Sequence, residues 1–158
     1  MGKKWLDIVY NEKSSIKLKQ HYKSWANDYD QDLIDWGYAY PSQLKKIMSQ
    51  DIKLKKSSKI LDAGCGTGLV AEVLGDMNFK DIVGLDYSLD MLKIAKDKKI
   101  YTRLIQESLN KKTSLRSNQF DVVLCTGVLT SGHVGAKAIN ELIRVTKKNG
   151  QILIYVWA

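Results

Sequence analysis

Residues 60–68 constrain the fold most, because a short apolar run leads there into three alternating glycines, Gly64, Gly66 and Gly68. Glycine has no Cβ, so it tolerates positive φ and lets the backbone pass close to a ligand. An apolar-periodic segment begins directly afterwards, at Leu69. A strand, a glycine turn and a helix N-terminus in this order predict a crevice into which backbone N–H groups point.

The spacing of this turn leaves two kinds of ligand open. The dinucleotide pattern G-x-G-x-x-G/A fails when it is counted from the first glycine. It fits when counted from Gly66, with Ala71 in the third position and Asp86 about 20 residues further on. Asp62 argues against a dinucleotide, because a carboxylate at the end of the first strand would repel a pyrophosphate. A ligand with an ammonium, a sulfonium and no phosphate would accept that charge, and S-adenosylmethionine is such a ligand.

Four motifs, in this order along the chain, resemble those of class I S-adenosylmethionine-dependent methyltransferases. They occupy residues 61–68, 83–88, 120–125 and 142–150. Residues 22–41 and 126–134 also resemble the small methyltransferase subgroup named for the Williams–Beuren syndrome region. The resemblance implies an α/β fold with a doubly wound, mostly parallel, Rossmann-like sheet. The family core has two further strands after the fifth, and this sequence is expected to lack them.

The chain is expected to form one cofactor-binding domain over residues 1–158, with an N-terminal helical lid over residues 1–50 and the Rossmann-like core over residues 58–158. Within the lid, residues 14–29 carry Leu18, Tyr22, Trp25 and Tyr29 at helical spacing. Such a stripe is typical of a packing face, and the resemblance implies that it covers the crevice.

The helix ends elsewhere in the chain are predicted from local signals. Ser42 and Ser88 are each expected to cap a helix, and Gly75 is expected to end the helix after the glycine turn or to lie just past it. Residues 134–148 are predicted to be helical, followed by a fifth strand over residues 151–157. The acidic run formed by Asp28, Asp30, Asp32 and Asp35 is expected to be a solvated helix end, because it lacks the glycine and glutamate of a calcium loop.

The resemblance implies a set of cofactor contacts at the carboxyl ends of the strands and on the lid. They are Tyr22, Trp25, Tyr29, Asp62, Gly64, Cys65, Gly66, Gly68, Asp86, Tyr87, Met91, Glu107, Ser108, Thr126 and Gly127. Asp86 is expected to accept hydrogen bonds from both ribose hydroxyls, and Glu107 to reach the adenine amino group. No catalytic residue is assigned. His133 is the one candidate for a base, and a helix cap is its alternative role.

The composition of the chain limits the kinds of partner, metal site and location that are expected for it. The formal net charge of the 158 residues is +8, but lysines are scattered and not interleaved with aromatic residues, so nucleic acid is not the favoured partner. Cys65 and Cys125 form no C-x-x-C pair, and no metal site is expected. No apolar run is long enough to span a membrane and no signal peptide is evident, so a cytoplasmic protein is expected.

These observations predict methyl transfer from S-adenosylmethionine to a small-molecule acceptor. Two alternatives stay open: a cofactor-binding domain without catalysis, and an RNA or protein methyltransferase. The apolar run from Ile152 to Trp157 is predicted to be a strand buried on both faces, and self-association through its outer edge is expected.

Overall fold

The computed structural model describes residues 3–12, 14–37, 40–50, 54–129 and 137–155. Seven helices and five strands lie within these ranges. They are α1 (Lys3–Asn11), α2 (Ser15–Trp25), α3 (Tyr29–Asp35), α4 (Tyr40–Gln50), β1 (Lys59–Ala63), α5 (Leu69–Asp76), β2 (Asp81–Asp86), α6 (Leu89–Asp97), β3 (Arg103–Gln106), β4 (Phe120–Thr126), α7 (Lys137–Val145) and β5 (Thr146–Tyr155).

The five strands form one parallel sheet in the order β3-β2-β1-β4-β5. The chain moves outward from β1 through β2 to β3, and then continues on the other side of β1 with β4 and β5. The direction of winding therefore reverses between β1 and β4, and a crevice opens there beyond the carboxyl ends of the strands. The doubly wound parallel sheet predicted from the sequence is confirmed.

Two apolar cores cover the two faces of the sheet. Alternate residues of a strand point to opposite faces, so Leu61 and Val123 belong to one core and Ile60 and Val122 to the other. All four of these residues are fully buried. Strands buried on both faces read as continuous apolar runs, which is why β1, β2 and β4 could be located from the sequence.

Residues of α1, α2 and α3 and Trp36 form a third apolar cluster, which is rich in aromatic residues, whereas α4 packs into one of the two cores of the sheet. Trp25 lies at the centre of the aromatic cluster, with its ring stacked on Trp5 at a centroid distance of 5.9 Å. The single helix predicted over residues 14–29 is wrong in one respect, because a turn at residues 26–28 separates α2 from α3. The break lets α3 fold back, so that the Nε1–H of Trp25 donates a 2.8 Å hydrogen bond to Asp32.

The structure corrects two predicted helix ends and confirms a third. Helix α4 begins at Tyr40, so Ser42 lies inside its first turn and not at the N-cap, since Pro41 suits the first helical positions. Gly75 lies inside α5; Met77 caps that helix, and Asn78 takes the left-handed conformation with φ of 64°. Ser88 is the N-cap of α6 as predicted, and its hydroxyl accepts from the N–H of Met91.

The boundary between α7 and β5 lies earlier than the sequence suggested. Helix α7 ends at Val145 and β5 starts at Thr146, where Thr146 pairs with Phe120 of β4. The register shifts between Phe120 and Val122, and Asn149 has φ of 65°, so the strand begins with an irregular stretch. Hydrogen bonds to β4 replace the last helical turn that local periodicity favoured, and sequence periodicity contains no information on that pairing.

Strand β5 differs from its prediction in burial as well. It lies at one edge of the sheet, where Ile152 and Leu153 are half-buried and Ile154 is 38% exposed. Burial on both faces is therefore wrong for the described part of this strand. No helix among the described residues is long and apolar enough to cross a membrane.

Candidate functional site

A cavity of about 140 Å³ lies where the carboxyl ends of the strands meet the N-terminal helices. Eleven of the residues predicted as contacts line it. They are Tyr22, Tyr29, Gly64, Gly66, Asp86, Tyr87, Met91, Glu107, Ser108, Thr126 and Gly127. They come from α2, α3, the glycine loop, the end of β2, α6 and the loops after β3 and β4, so the fold gathers distant parts of the chain at the reversal point of the sheet.

The glycine loop is fixed by backbone hydrogen bonds to β2. The N–H groups of Gly64 and Cys65 both donate to the carbonyl of Leu85, at 2.7 and 3.0 Å. Gly64 has φ of 80°, and a Cβ there would lie 2.1 Å from the Val128 side chain. Gly66 has φ of 52°, but a Cβ there would meet nothing within 4 Å. Gly64 is thus required for packing, whereas Gly66 leaves open space on the side of the cavity.

Asp86 connects the glycine loop to the end of β2. One of its carboxylate oxygens accepts from the N–H of Gly66 at 2.9 Å, and the other from the N–H of Ser88 at 2.8 Å. The residue is 7% exposed, and burial raises the pKa of its carboxyl group while these N–H donors oppose the rise. A carboxylate oxygen can accept more than one hydrogen bond, so each can still take a hydroxyl donor from the cavity.

Asp62 lies under the glycine loop and not on the cavity wall. Its side chain is fully buried, and Oδ2 accepts a 2.6 Å hydrogen bond from the hydroxyl of Tyr101. Oδ1 is buried and has no hydrogen-bond partner among the described residues. Burial, together with the charge of Asp86, raises the pKa of Asp62 to about 7, against the lowering effect of Tyr101. The structure thus places Asp62, which was predicted as a direct cofactor contact, beneath the loop and not among the residues that line the cavity.

Three other predicted contacts are also not on the wall of the cavity. Trp25 is 1% exposed, because its ring fills the centre of the N-terminal aromatic cluster. Cys65 is 6% exposed and points back toward β2, where its sulfur would lie 3.0 Å from a Cβ at Gly84. Gly68 is buried at the start of α5 with φ of 94°. All three support the residues that line the cavity instead of lining it themselves.

Aromatic rings form the side of the cavity that faces α2 and α3, which together make up the helical layer over the sheet. Tyr22 meets Tyr87 edge-to-face, with centroids 6.3 Å apart and planes at 84°, and Tyr29 lies 6.4 Å from Tyr22. The hydroxyl of Tyr87 is buried and has no partner among the described residues. The rings are steeply inclined to one another, so this wall is apolar but not flat, and a planar base can pack against the face of an individual ring.

The loop after β3 is held by its own hydrogen bonds. The two carboxylate oxygens of Glu107 accept from the N–H of Ser114 at 2.8 Å and from its hydroxyl at 2.5 Å. Glu107 borders the cavity, but Ser114 already uses part of its accepting capacity. Its predicted contact with an adenine amino group therefore stays a prediction, and one that depends on the remaining lone pairs.

Sequence reasoning missed six residues of the lining. They are Leu18, Leu85, Ser88, Leu109, Asn110 and Val128. Leu18 belonged to the helical stripe that was predicted, and the other five adjoin predicted contacts within two positions, so adjacency in the chain was the available signal. His133, the candidate base, lies outside the described residues.

The charges at the cavity limit what it can hold. Among the described lining residues there is no lysine or arginine, whereas Asp86 and Glu107 are acidic and Asp62 lies just below. A diphosphate would meet only like charge at this wall. The open backbone at Gly66, the acceptor Asp86 and the unpartnered Oδ1 of Asp62 fit a cationic, phosphate-free nucleoside such as S-adenosylmethionine.

Neither cysteine behaves as a nucleophile in this structure. Burial raises the pKa of the Cys65 thiol well above its usual value, and that of Cys125 to about 12. A thiol reacts as the thiolate, so burial disfavours the reactive form of both side chains at neutral pH. Among the described residues, no three histidine, cysteine or acidic side chains cluster closely enough to hold a metal ion.

Comparison with known proteins agrees with this geometry. Residues 61–154 match the family described as a methyltransferase domain. Methyltransferase-like protein 27 of Homo sapiens is 37% identical over 84% of this chain, and the probable tRNA methyltransferase 9B of the same species is 33% identical over 66% of it. The chain spans 55% of the length of the first and 22% of the second.

A solved structure supports the fold independently. A putative S-adenosyl-L-methionine-dependent methyltransferase from Methanococcus maripaludis superposes with a TM-score of 0.71, at 21% identity, covering 84% of this chain and 62% of that one. The sheet order, the glycine loop and the acidic residue that ends β2 define the class I methyltransferase type. The chain belongs to the S-adenosylmethionine-dependent methyltransferase family.

Proposed function

We propose that this protein binds S-adenosylmethionine in the cavity beside the glycine loop and transfers its methyl group to a small-molecule acceptor. The proposal rests on the position of the Asp86 carboxylate. This buried carboxylate borders the cavity while both of its oxygens are oriented by backbone N–H groups of the glycine loop and of the turn into α6. An acceptor held in this way suits the paired hydroxyls of a ribose.

Each wall of the cavity has a distinct role in this proposal. S-adenosylmethionine, when bound, supplies a methyl group made electrophilic by its sulfonium. Asp86 orients the ribose, Tyr87 and Met91 pack against the base, and the helical layer with Tyr22 and Tyr29 excludes water. Thr126 and Gly127 lie after β4, where the acceptor is expected. Orientation alone supplies much of the rate enhancement in such a transfer, so an amine or thiol acceptor needs no further base.

Calorimetry with three ligands tests the cofactor. S-adenosylmethionine and its demethylated product should bind with one site per chain, and NAD should not bind, because its pyrophosphate would face the acidic wall. Binding of NAD without binding of S-adenosylmethionine would overturn the proposal. Turnover is then measured with a panel of amine, thiol and hydroxyl acceptors. Cofactor binding without any turnover would favour the alternative, a binding domain without catalysis. That alternative stays open because the chain spans 55% of the length of the human relative.

An RNA acceptor is the second candidate. It is favoured by the net charge of +8 and by the relative named as a probable tRNA methyltransferase. Binding to phosphates falls steeply as the salt concentration rises, because bound counterions are released. Titration with tRNA at two salt concentrations therefore separates this candidate from the first. Tight, salt-dependent binding followed by methylation of the RNA would replace the small-molecule assignment.

A further inference from the structure

Tyr101 lies under the glycine loop, between two glycines that leave room for its ring. Its Cε2 lies 3.1 Å from where a Cβ at Gly68 would be, and its Cε1 lies 2.8 Å from a Cβ at Gly84. A side chain at Gly84 would force this ring, and Leu104 beside it, to shift. Gly68 starts α5 and Gly84 lies in β2, so the ring of Tyr101 fills the gap between the glycine loop and the neighbouring strand.

The hydroxyl of Tyr101 is the one hydrogen-bond donor to Asp62 in the described structure. It lies 2.6 Å from Oδ2, while Oδ1 has no partner. Tyr101 is not among the residues that line the cavity. A residue in this place can act on a bound cofactor only through Asp62 and through the shape of the loop.

We propose that Tyr101 is a positioning residue of the cofactor site, which holds the carboxylate of Asp62 beneath the glycine loop and keeps it available to a cationic ligand above. The proposal rests on the proposed function, since the loop is taken to hold S-adenosylmethionine. Among the described residues, four ionisable groups interact with Asp62. Asp86 lies at the end of β2, Cys65 in the glycine loop, Cys125 in β4 and Tyr101 just before β3. Of these, Tyr101 alone favours the ionised form of Asp62 by donating a hydrogen bond to it.

The pH dependence of folding stability tests the effect of Tyr101 on Asp62 without any ligand. Asp62 has a pKa near 3.8 when unfolded and about 7 when folded, so the native state binds the extra proton and stability falls as the pH rises between these values. Tyr101→Phe keeps the ring but removes the donor. It should raise the pKa of Asp62 further, so that the fall in stability continues to a higher pH than in the unchanged chain.

The same variant is then compared for cofactor affinity. S-adenosylmethionine carries a net positive charge, so its affinity should rise with pH as Asp62 ionises. Tyr101→Phe should move the midpoint of that rise upward by about one pH unit and weaken binding by up to about fivefold at pH 7, because the ionised fraction of Asp62 falls by that factor. In an Asp62→Asn background the same substitution should change the affinity less than about twofold, because a residue that acts through Asp62 has nothing left to act on.

Thr102→Val is the matched control. Thr102 adjoins Tyr101, and its hydroxyl donates to the carbonyl of Ile82 at 3.0 Å, away from the loop. This variant should leave both pH midpoints unchanged. If Tyr101→Phe lowers stability and affinity equally at every pH, or equally with and without Asp62, the positioning role is overturned and the ring only packs. If the unchanged chain does not bind S-adenosylmethionine, the proposed function and the positioning role are both overturned, whatever the stability profile shows.

Discussion

The ammonium of Lys98 lies 2.7 Å from a carboxylate oxygen of Asp30, and this ion pair joins the helical layer to the core. Asp30 belongs to α3, and Lys98 caps the end of α6. The hydroxyl of Thr67, in the glycine loop, donates to the other oxygen of Asp30, and Glu72 of α5 lies 3.1 Å from Lys98. The acidic run predicted to be solvated therefore contributes to a network that reaches the glycine loop.

We expect α2 and α3 to become more protected from hydrogen exchange when S-adenosylmethionine is added. Leu18, Tyr22 and Tyr29 line the cavity from these helices, so a bound cofactor would add contacts to a layer that otherwise packs mainly on itself. Exchange measured by mass spectrometry checks this, with β1 and β4 as internal references. Equal protection with and without cofactor would show that the layer is a fixed wall and not a lid.

Lys98→Met should loosen the same layer in the absence of any ligand. The side chain of Lys98 is 15% exposed and serves two carboxylates, so its removal should lower the free energy of unfolding by about 1 kcal/mol and speed exchange in α3. Lys93→Met is the control, because Lys93 is 65% exposed and, among the described residues, pairs with Asp90 of its own helix alone. Equal effects of the two variants would contradict a role for the network.

Asp86→Ala should weaken binding of S-adenosylmethionine by about 1.5–3 kcal/mol, the scale of hydrogen bonds to a charged group. It should also lower stability, because the N–H groups of Gly66 and Ser88 lose their acceptor. Asp81→Ala, at the opposite end of β2, is the control for stability effects of a strand-end aspartate. Calorimetry measures affinity and thermal unfolding measures stability. An unchanged dissociation constant for Asp86→Ala would mean that the ribose is bound elsewhere.

Glu141 should stabilise the loop before β4 at neutral pH, and this stabilisation should be lost in acid. It accepts hydrogen bonds from the N–H and hydroxyl of Thr113 and pairs with Arg144, whose guanidinium lowers the pKa of Glu141 to about 2. The ionised form is favoured in the folded state, so this contribution is present above the unfolded pKa of 4.5 and is lost as the pH falls toward about 2.

Glu141→Gln is therefore expected to cost about 1.5–3 kcal/mol at neutral pH and little at about pH 2. Urea unfolding at both pH values checks this. Asp90→Asn supplies the control, since Asp90 and Lys93 have the same spacing along a helix but lie at the surface. A loss for Glu141→Gln that does not depend on pH would assign its role to packing.

Self-association through β5 is expected to depend on Ile154. In the described structure, β5 pairs with β4 on one side and with no strand on the other, and Ile154 is 38% exposed. An unpaired strand edge with exposed apolar side chains favours association, and a lysine opposes it. Sedimentation of the 158-residue chain should show concentration-dependent association that Ile154→Lys reduces. Ile34→Lys is the control, because Ile34 is exposed on α3, away from the edge of the sheet. A chain that stays monomeric at high concentration would refute the expectation.

The sequence predicted the core of the site because that part depends on neighbours in the chain. Glycines that need positive φ, a strand that ends in Asp86 and the Ser88 cap are all encoded within a few residues of one another. These local signals located β1, β2, α5 and α6, and the family resemblance assigned their ligand. Of the six lining residues that were missed, Leu85 and Ser88 lie at these signals. The other four lie in α2 and in the loops after β3 and β4, and their positions depend on helix packing and loop paths that local patterns do not specify.

The sequence by itself determined the parallel doubly wound sheet, the glycine loop and the family, since these follow from periodicity, backbone preferences and a linear motif. Only the tertiary structure decided which way a given side chain points. It buried Trp25 among other aromatic rings, turned Asp62 toward Tyr101 and started β5 at Thr146. Each of these outcomes depends on a partner that is at least 20 residues distant or in another helix. Contacts of that kind are fixed by packing and by hydrogen bonding of buried groups, and a linear pattern does not contain them.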